Sequence, residues 1–191
     1  MNMDTLKLIL VALAALWMVY VLVDYLVPYF YGLPAKPTRH ARIRKALKLA
    51  GLRPGETLID LGCGDGRVLI LAAKEFEAQA IGIDAGPVQV ARAWINGLFS
   101  GVGTQIQVHW GNFLKADLPD ADVVFAYLTS DYVPKLEAKL TSQLKPGARV
   151  VTISFDFSNW EPDAFDEDEL IFVYKMPPHA GDLGTFLLKR E

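Results

Sequence analysis

The sequence predicts an α/β fold, in which helices cover a doubly wound, mostly parallel sheet of seven strands. Two observations lead to this fold class. From residue 57 onward, short apolar runs alternate with segments of helical periodicity, an order typical of parallel strands joined by right-handed crossovers. After Ser154 the alternation stops and two apolar runs follow with no helix between them. We therefore expect a C-terminal antiparallel hairpin to close the sheet.

The N-terminal segment predicts one transmembrane helix. Residues 6–27 are uncharged apart from Lys7 and Asp24, and a helix of 22 residues is about 33 Å long, enough to cross a hydrocarbon core. A cleaved signal peptide is the alternative, but the apolar run is long and no small-x-small cleavage site follows it. The expected organisation is an anchor at 1–27, a proline-rich linker at 28–37 and a single domain at 38–191.

The charges after the anchor predict its orientation. No acid occurs between Asp24 and Glu56, whereas this stretch carries Lys36, Arg39, Arg42, Arg44, Lys45 and Lys48. The positive-inside rule then puts the C-terminal domain on the cytoplasmic side. The single Cys63 agrees with a reducing compartment, since it has no partner for an internal disulfide. The net charge of -3 argues against a general nucleic-acid-binding protein.

Capping residues, glycines and prolines mark where the expected helices and strands begin and end. Thr38 begins a helix to about residue 50, and Gly51 ends it. Pro87 is well placed to open another helix. The expected strands are 57–61, 80–83, 105–109, 122–126, 149–154, 170–174 and 185–188, and the further helices are 67–76, 87–99 and 131–144.

The segment 57–67 combines a buried strand with a glycine-rich turn that leads into a helix. Its glycines are Gly62, Gly64 and Gly66, which let the backbone turn tightly and approach a ligand closely. A dinucleotide-binding fingerprint would need its third glycine at the position of Arg67. The turn therefore resembles a nucleotide site but departs from the NAD pattern.

Two acids accompany this turn, Asp60 at the strand end and Asp65 within it. A carboxylate about 4 Å from a phosphate costs about 4 kcal/mol at the effective dielectric of a protein site, but it stabilises a cation. S-adenosylmethionine has an ammonium and a sulfonium and lacks phosphate. The pattern therefore favours S-adenosylmethionine over NAD as the cofactor, with Asp60, Gly62 and Gly64 among its ligands.

Two further residues are predicted to contact the cofactor from neighbouring strand ends. Asp84 lies 20 residues beyond Gly64, where an acid can accept hydrogen bonds from ribose hydroxyls. Asn112 follows the third strand and could read the adenine edge, although an ordinary loop asparagine is the alternative. The histidines are scattered and no paired cysteines occur, so we expect no metal site. No serine lies in a nucleophile elbow either.

Together, residues 60–67, Asp84 and the terminal hairpin resemble the class I S-adenosylmethionine-dependent methyltransferases. Within them, the chain is similar to the small membrane-anchored protein-lysine methyltransferases whose mitochondrial members modify the ATP synthase c-subunit and the adenine nucleotide translocase. The apolar N-terminus, the linker, Trp94 and the segments 136–140 and 155–162 carry this likeness. Two positions depart from it. The subgroup usually has Glu in place of Asp84, and a Val-Pro-containing segment where this chain has 127–130.

The resemblance implies a lysine of a membrane-associated protein as the methyl acceptor. We expect Tyr127, Phe155 and Trp160 to form an apolar acceptor slot, with Asp156 orienting the amine, because all four follow the fourth and fifth strands. The alternative is that the aromatic residues only cover the sheet edge. Two more functions stay open: a methyltransferase for a lipid or small molecule, and a non-catalytic, membrane-tethered module that binds S-adenosylmethionine.

Overall fold

A computed structural model describes residues 2–30 and 38–189, so most of the predicted linker, residues 31–37, lies outside the described residues. The helices are α1 (Met3–Phe30), α2 (His40–Leu49), α3 (Arg67–Phe76), α4 (Pro87–Phe99), α5 (Val133–Gln143) and α6 (Leu183–Leu188). The strands are β1 (Thr57–Leu61), β2 (Gln79–Asp84), β3 (Ile106–Trp110), β4 (Val123–Ala126), β5 (Arg149–Ile153), β6 (Trp160–Glu161), β7 (Ala164–Asp166), β8 (Ile171–Lys175) and β9 (His179–Ala180).

The described chain forms a seven-stranded sheet in the order β3-β2-β1-β4-β5-β8-β7. Strands β1 to β5 pair in parallel, and β8 runs antiparallel to both β5 and β7. This arrangement confirms the predicted fold class. The strand order reverses beside β1, so the carboxyl ends of β1 and β4 border the crevice in which open α/β sheets bind ligands.

The predicted last strand at 185–188 is wrong, because these residues lie in α6. The side chain of Asp182 accepts a hydrogen bond of 2.7 Å from the N–H of Thr185, which caps the helix. The strand that pairs with β8 is instead β7, which precedes it in the chain. A run of four residues, three of them apolar, has too few periods to separate a strand from a helical turn.

Two apolar clusters cover the two faces of the sheet. The first packs α2 and α3 against alternate residues of the strands, such as Leu58 and Phe125. The second packs α5 against the intervening residues, such as Ile59 and Val124. Because side chains alternate along a strand, Asp60 belongs to the face of Leu58, which α2 and α3 cover.

Helix α1 extends through the predicted anchor to Phe30. Its segment Met3–Leu22 is long and apolar enough to cross a membrane, and none of it is buried against the rest of the protein. This helix contacts α4, where the Arg92 guanidinium donates a hydrogen bond to the Tyr20 hydroxyl and lies 5.9 Å from the centre of the Tyr20 ring.

Candidate functional site

The three glycines of the turn after β1 have different surroundings. All have positive φ values, +84° at Gly62, +54° at Gly64 and +80° at Gly66. A Cβ added to Gly66 would lie 3.0 Å from the backbone of Ala93, so this glycine lets α3 and α4 pack closely. A Cβ added to Gly64 would meet no atom within 4 Å. Gly64 therefore presents an open backbone surface at the carboxyl end of the sheet.

Asp84 connects the loops that follow the first three strands. Its Oδ2 accepts a hydrogen bond of 2.8 Å from the N–H of Gly64, and its Oδ1 accepts one of 2.8 Å from Gly86. Its backbone carbonyl accepts a third, of 2.9 Å, from Gly111. Burial raises the pKa of Asp84, while the hydrogen bonds from Gly86 and Gly64 oppose that rise. The predicted ribose-binding acid thus also fixes the shape of the glycine turn.

Asp60 is a buried carboxyl group, only 3% exposed, and no donor from the described residues forms a hydrogen bond with it. Burial raises the pKa of Asp60 well above its ordinary value, and the charges of Asp84 and Asp65 raise it further. A buried carboxylate without a donor is unstable unless it takes up a proton or a cation joins it. The cationic ammonium of S-adenosylmethionine fits this need, so the residues present suit the predicted cofactor.

Asp65 is not available to a cationic ligand in the same way. Its carboxylate forms an ion pair of 2.6 Å with Arg67, and the side-chain hydrogen bonds from Arg67 lower the pKa of Asp65. Arg67 also donates a hydrogen bond of 3.0 Å to the carbonyl of Thr38. The second acid of the turn is therefore neutralised inside the protein. Within residues 2–30 and 38–189, no group of three His, Cys, Asp or Glu side chains could hold a metal ion.

Asn112 lies beside Gly111 at the same sheet edge, as predicted. Its Oδ1 accepts a hydrogen bond of 2.9 Å from the N–H of Leu114, and its carbonyl accepts from Lys115 and Ala116. The side chain therefore stabilises its own turn, as an ordinary loop asparagine does. Its Nδ2 has no hydrogen-bond partner in the described part of the chain and stays a candidate donor to adenine.

Tyr127 follows β4 and packs against the first apolar cluster, on the Asp60 face of the sheet. The Arg42 guanidinium lies 5.7 Å from the centre of the Tyr127 ring and donates a hydrogen bond of 2.9 Å to the Ser154 hydroxyl. Arg42 therefore borders the predicted acceptor region. Sequence reasoning missed this contact, because Arg42 lies on a basic helix 85 residues before Tyr127.

Phe155 and Trp160 belong to the second cluster, on the other face. The centre of the Trp160 ring lies 4.3 Å from that of Phe157 and 5.6 Å from that of Tyr174, and only 4% of Trp160 is exposed. The Tyr174 hydroxyl accepts a hydrogen bond of 3.1 Å from the N–H of Phe157. The structure thus groups Trp160 with Phe155 but places Tyr127 in a different cluster. Asp156, between the aromatic residues, is half-buried.

Comparison with known proteins shows the family of this chain. Residues 60–164 match the family model of the ANTKMT methyltransferase domain. A protein-lysine N-methyltransferase of Saccharolobus islandicus is 35% identical over 70% of this chain and 84% of its own length. An ATP synthase C-subunit lysine N-methyltransferase of Xenopus laevis is 33% identical over 81% of this chain and 65% of its own. The chain spans less than two thirds of the length of the vertebrate relatives it matches.

A solved structure shares both the fold and the cofactor chemistry. The crystal structure of an RNA methyltransferase from Salinibacter ruber, in complex with S-adenosyl-L-homocysteine, is 34% identical to this chain. It superposes with a TM-score of 0.72 and covers 75% of this chain and 95% of the other. The chain is therefore an enzyme of the ANTKMT methyltransferase domain family and belongs to the S-adenosylmethionine-dependent protein-lysine N-methyltransferases.

Proposed function

We propose that this protein is a membrane-anchored lysine methyltransferase that acts on a membrane-associated protein. One observation carries the cofactor assignment: the buried carboxyl of Asp60 has no hydrogen-bond donor among the described residues, and its strand leads directly into the turn that holds the open backbone of Gly64. A cation that binds along the glycine turn would pair with this carboxylate and stabilise its charge.

Five residues would hold the cofactor. Asp60 would pair with its ammonium, and the Gly62–Gly64 backbone would line its amino-acid portion. Asp84 would accept from the ribose hydroxyls with the oxygen lone pairs that Gly64 and Gly86 leave free. Asn112 would donate from Nδ2 to adenine. The bound cofactor supplies an electrophilic methyl group on its sulfonium, so the protein has to align an acceptor with it.

The acceptor lysine must lose its proton before it can attack. At pH 7 this costs about 4.6 kcal/mol for a lysine of pKa about 10.4. We propose that the Tyr127 ring borders the amine and disfavours its charged form by excluding water. Asp156 would orient the amine through a hydrogen bond. Trp160 is nearly fully buried in the other cluster, so it would act indirectly: it packs on Phe157, which contacts Phe155, and would support the Phe155 side of the slot.

The membrane-associated substrate is inferred from the anchor and from the relatives. Met3–Leu22 is apolar and unburied, so it would tether the domain to a bilayer. The Xenopus relative is named for a lysine of the ATP synthase C-subunit. The basic residues from Lys36 to Lys48 favour a cytoplasmic domain. We therefore propose a single-pass protein whose substrate meets the domain at the cytoplasmic membrane surface.

A second candidate acceptor is RNA, because the Salinibacter structure is named an RNA methyltransferase. A lipid or small-molecule acceptor is a third candidate, and a module that binds the cofactor without turnover is a fourth. Membranes that contain the full chain, incubated with cofactor carrying a labelled methyl group, separate all four. Organic solvent removes labelled lipid, ribonuclease releases labelled RNA, and protein-bound label resists both.

We expect the label in the protein fraction, where acid hydrolysis should release it as methyl-lysine. Membranes that carry the Asp60→Asn variant are the matched control, and they should acquire far less label. Label that leaves with the solvent or with ribonuclease would contradict the proposal. Label no higher than in the Asp60→Asn control, from a parent chain that binds the cofactor, would instead favour the non-catalytic module.

A further inference from the structure

Helix α4 exposes a stripe of large apolar side chains, which we call the α4 stripe: Trp94, Ile95, Leu98 and Phe99. Their exposed fractions are 59%, 43%, 51% and 90%. The opposite side of the helix is buried, since Ala93 is 0% exposed and Gly97 packs near Ile106. Four adjacent apolar side chains on one helix face, one of them nearly fully exposed, form a patch of the kind that marks an interaction surface.

The stripe is continuous with the helix that can span a membrane. Arg92, two residues before the stripe begins at Trp94, donates its hydrogen bond to the hydroxyl of Tyr20 in α1. Tyr20 lies four residues before Asp24, the first charged residue after Lys7, which is about 6 Å along a helix. A bilayer that holds Met3–Leu22 would therefore have its polar boundary near α4. Tyrosine and tryptophan side chains are enriched at that boundary.

The charge pattern around the stripe fits a lipid surface. Residues 85–116 contain no acid, although the chain has 22 Asp and Glu residues, and they include Arg92 and Lys115. A segment that carries basic residues and no acid is attracted to anionic headgroups. In helix α2, two basic side chains lie beside acids, since Arg44 pairs with Glu75 and Lys45 pairs with Asp166. The segment 85–116, which includes α4 and contains no acid, is thus compatible with an anionic bilayer.

We propose that the α4 stripe rests in the headgroup region of the bilayer that holds α1, so the domain contacts the membrane at two places. This inference rests on the membrane anchorage proposed above. Helix α4 begins at Pro87, three residues after Asp84, and its 12-residue advance from Pro87 to Phe99 corresponds to about 18 Å. The contact would hold the cofactor site at a fixed height above the membrane, within reach of a lysine close to the lipid.

Spin labels on the full chain in nanodiscs of phosphatidylcholine and phosphatidylglycerol test this contact. The labels replace single exposed side chains through Phe99→Cys in the stripe, Val11→Cys in α1 and Lys135→Cys on α5. The native Cys63 is buried and 4% exposed, so the introduced cysteine takes the label. Collisions with oxygen report lipid, where oxygen concentrates, and collisions with a water-soluble nickel chelate report solvent.

We expect the labels at 99 and 11 to collide with oxygen several-fold more often, relative to nickel, than the label at 135. A label at 99 that matches the one at 135, while the one at 11 reports lipid, would overturn the α4 contact and leave the anchorage standing. Protection of position 99 from both reagents would also overturn it, because a protein would then cover the stripe. Water exposure at position 11 would refute the anchorage itself.

Discussion

The backbone N–H of Gly64 donates a hydrogen bond of 2.8 Å to Oδ2 of Asp84, which joins the glycine turn to the end of β2. The other carboxylate oxygen accepts from Gly86, so one side chain sets the relative position of two loops that border the candidate cofactor site. Asp84 is therefore expected to act twice, as a ribose ligand and as a support for the backbone that receives the cofactor.

Replacing Asp84 with Asn should weaken cofactor binding by about 1–3 kcal/mol, because one of the two backbone N–H groups then loses its acceptor. Titration calorimetry with S-adenosylmethionine measures this loss. Asp120→Asn is the matched control, since Asp120 is exposed and lies outside the site. Equal affinities for the two variants would show that Asp84 does not organise the site.

Replacing Asp60 with Asn should stabilise the cofactor-free protein at neutral pH and weaken its cofactor binding. The pKa of Asp60 is raised in the folded state, so the unfolded chain releases this proton more readily. The contribution of Asp60 to the stability of the parent protein is therefore highest below the unfolded pKa, about 3.9, and falls as the pH rises through the folded pKa.

The difference in unfolding free energy between Asp60→Asn and the parent should thus grow with pH from about pH 4 upward. Denaturant unfolding across a pH series measures this difference in free energy, and calorimetry at each pH measures the affinity for the cofactor. A variant that is less stable than its parent at pH 7 would mean that Asp60 has a partner within the protein.

Alanine at Gly64 and at Gly66 should have different effects, although both glycines have positive φ. Gly64→Ala adds a methyl group to open space, so it should fold with a backbone penalty of about 1–2 kcal/mol and lose cofactor affinity. Gly66→Ala also drives its Cβ to 3.0 Å from Ala93 and should be less stable. Thermal unfolding measures the stability of both variants, and calorimetry measures their affinity for the cofactor. The prediction is contradicted if Gly64→Ala binds the cofactor as tightly as the parent does.

Trp160→Ala and Asp156→Asn should both slow methyl transfer for different reasons. Trp160 is buried among Phe157 and Tyr174, so its truncation should cost about 3–5 kcal/mol of stability. Asp156→Asn should leave stability and cofactor affinity nearly unchanged and lower turnover. Unfolding, calorimetry and a labelled-methyl assay separate these effects. Parental rates in both variants would place the acceptor slot elsewhere.

Helices and strands whose ends are marked by proline or glycine were predictable from the sequence. Helix α4 was predicted at its observed bounds because Pro87 opens it, and β1 was predicted because an apolar run precedes the glycine turn. The prediction of a strand at 185–188 was wrong because only Phe186 of α6 is buried, while the cap at Asp182 stabilises a helix. A single hydrogen bond to a neighbouring backbone outweighed a weak apolar pattern.

The site was predictable where the chain itself brings residues together. Strand ends place Asp60 near Asp84, and the glycine turn follows β1 directly. Contacts between distant segments could not be predicted, and the Arg42–Tyr127 pair is one of them. The separation of Tyr127 from Trp160 could not be predicted from the sequence either, because it depends on which face of the sheet each loop covers after its strand ends.

The proposed lysine methylation is tested most directly by mass spectrometry for methyl-lysine on proteins from membranes of cells with and without the intact chain. Membranes from cells that express Asp60→Asn provide the comparison at matched protein level. We expect at least one membrane-associated protein whose lysine is methylated with the parent chain and unmethylated, or nearly so, with the variant. Identical lysine methylation in all three membranes, together with turnover of the cofactor by the parent chain, would contradict the proposal.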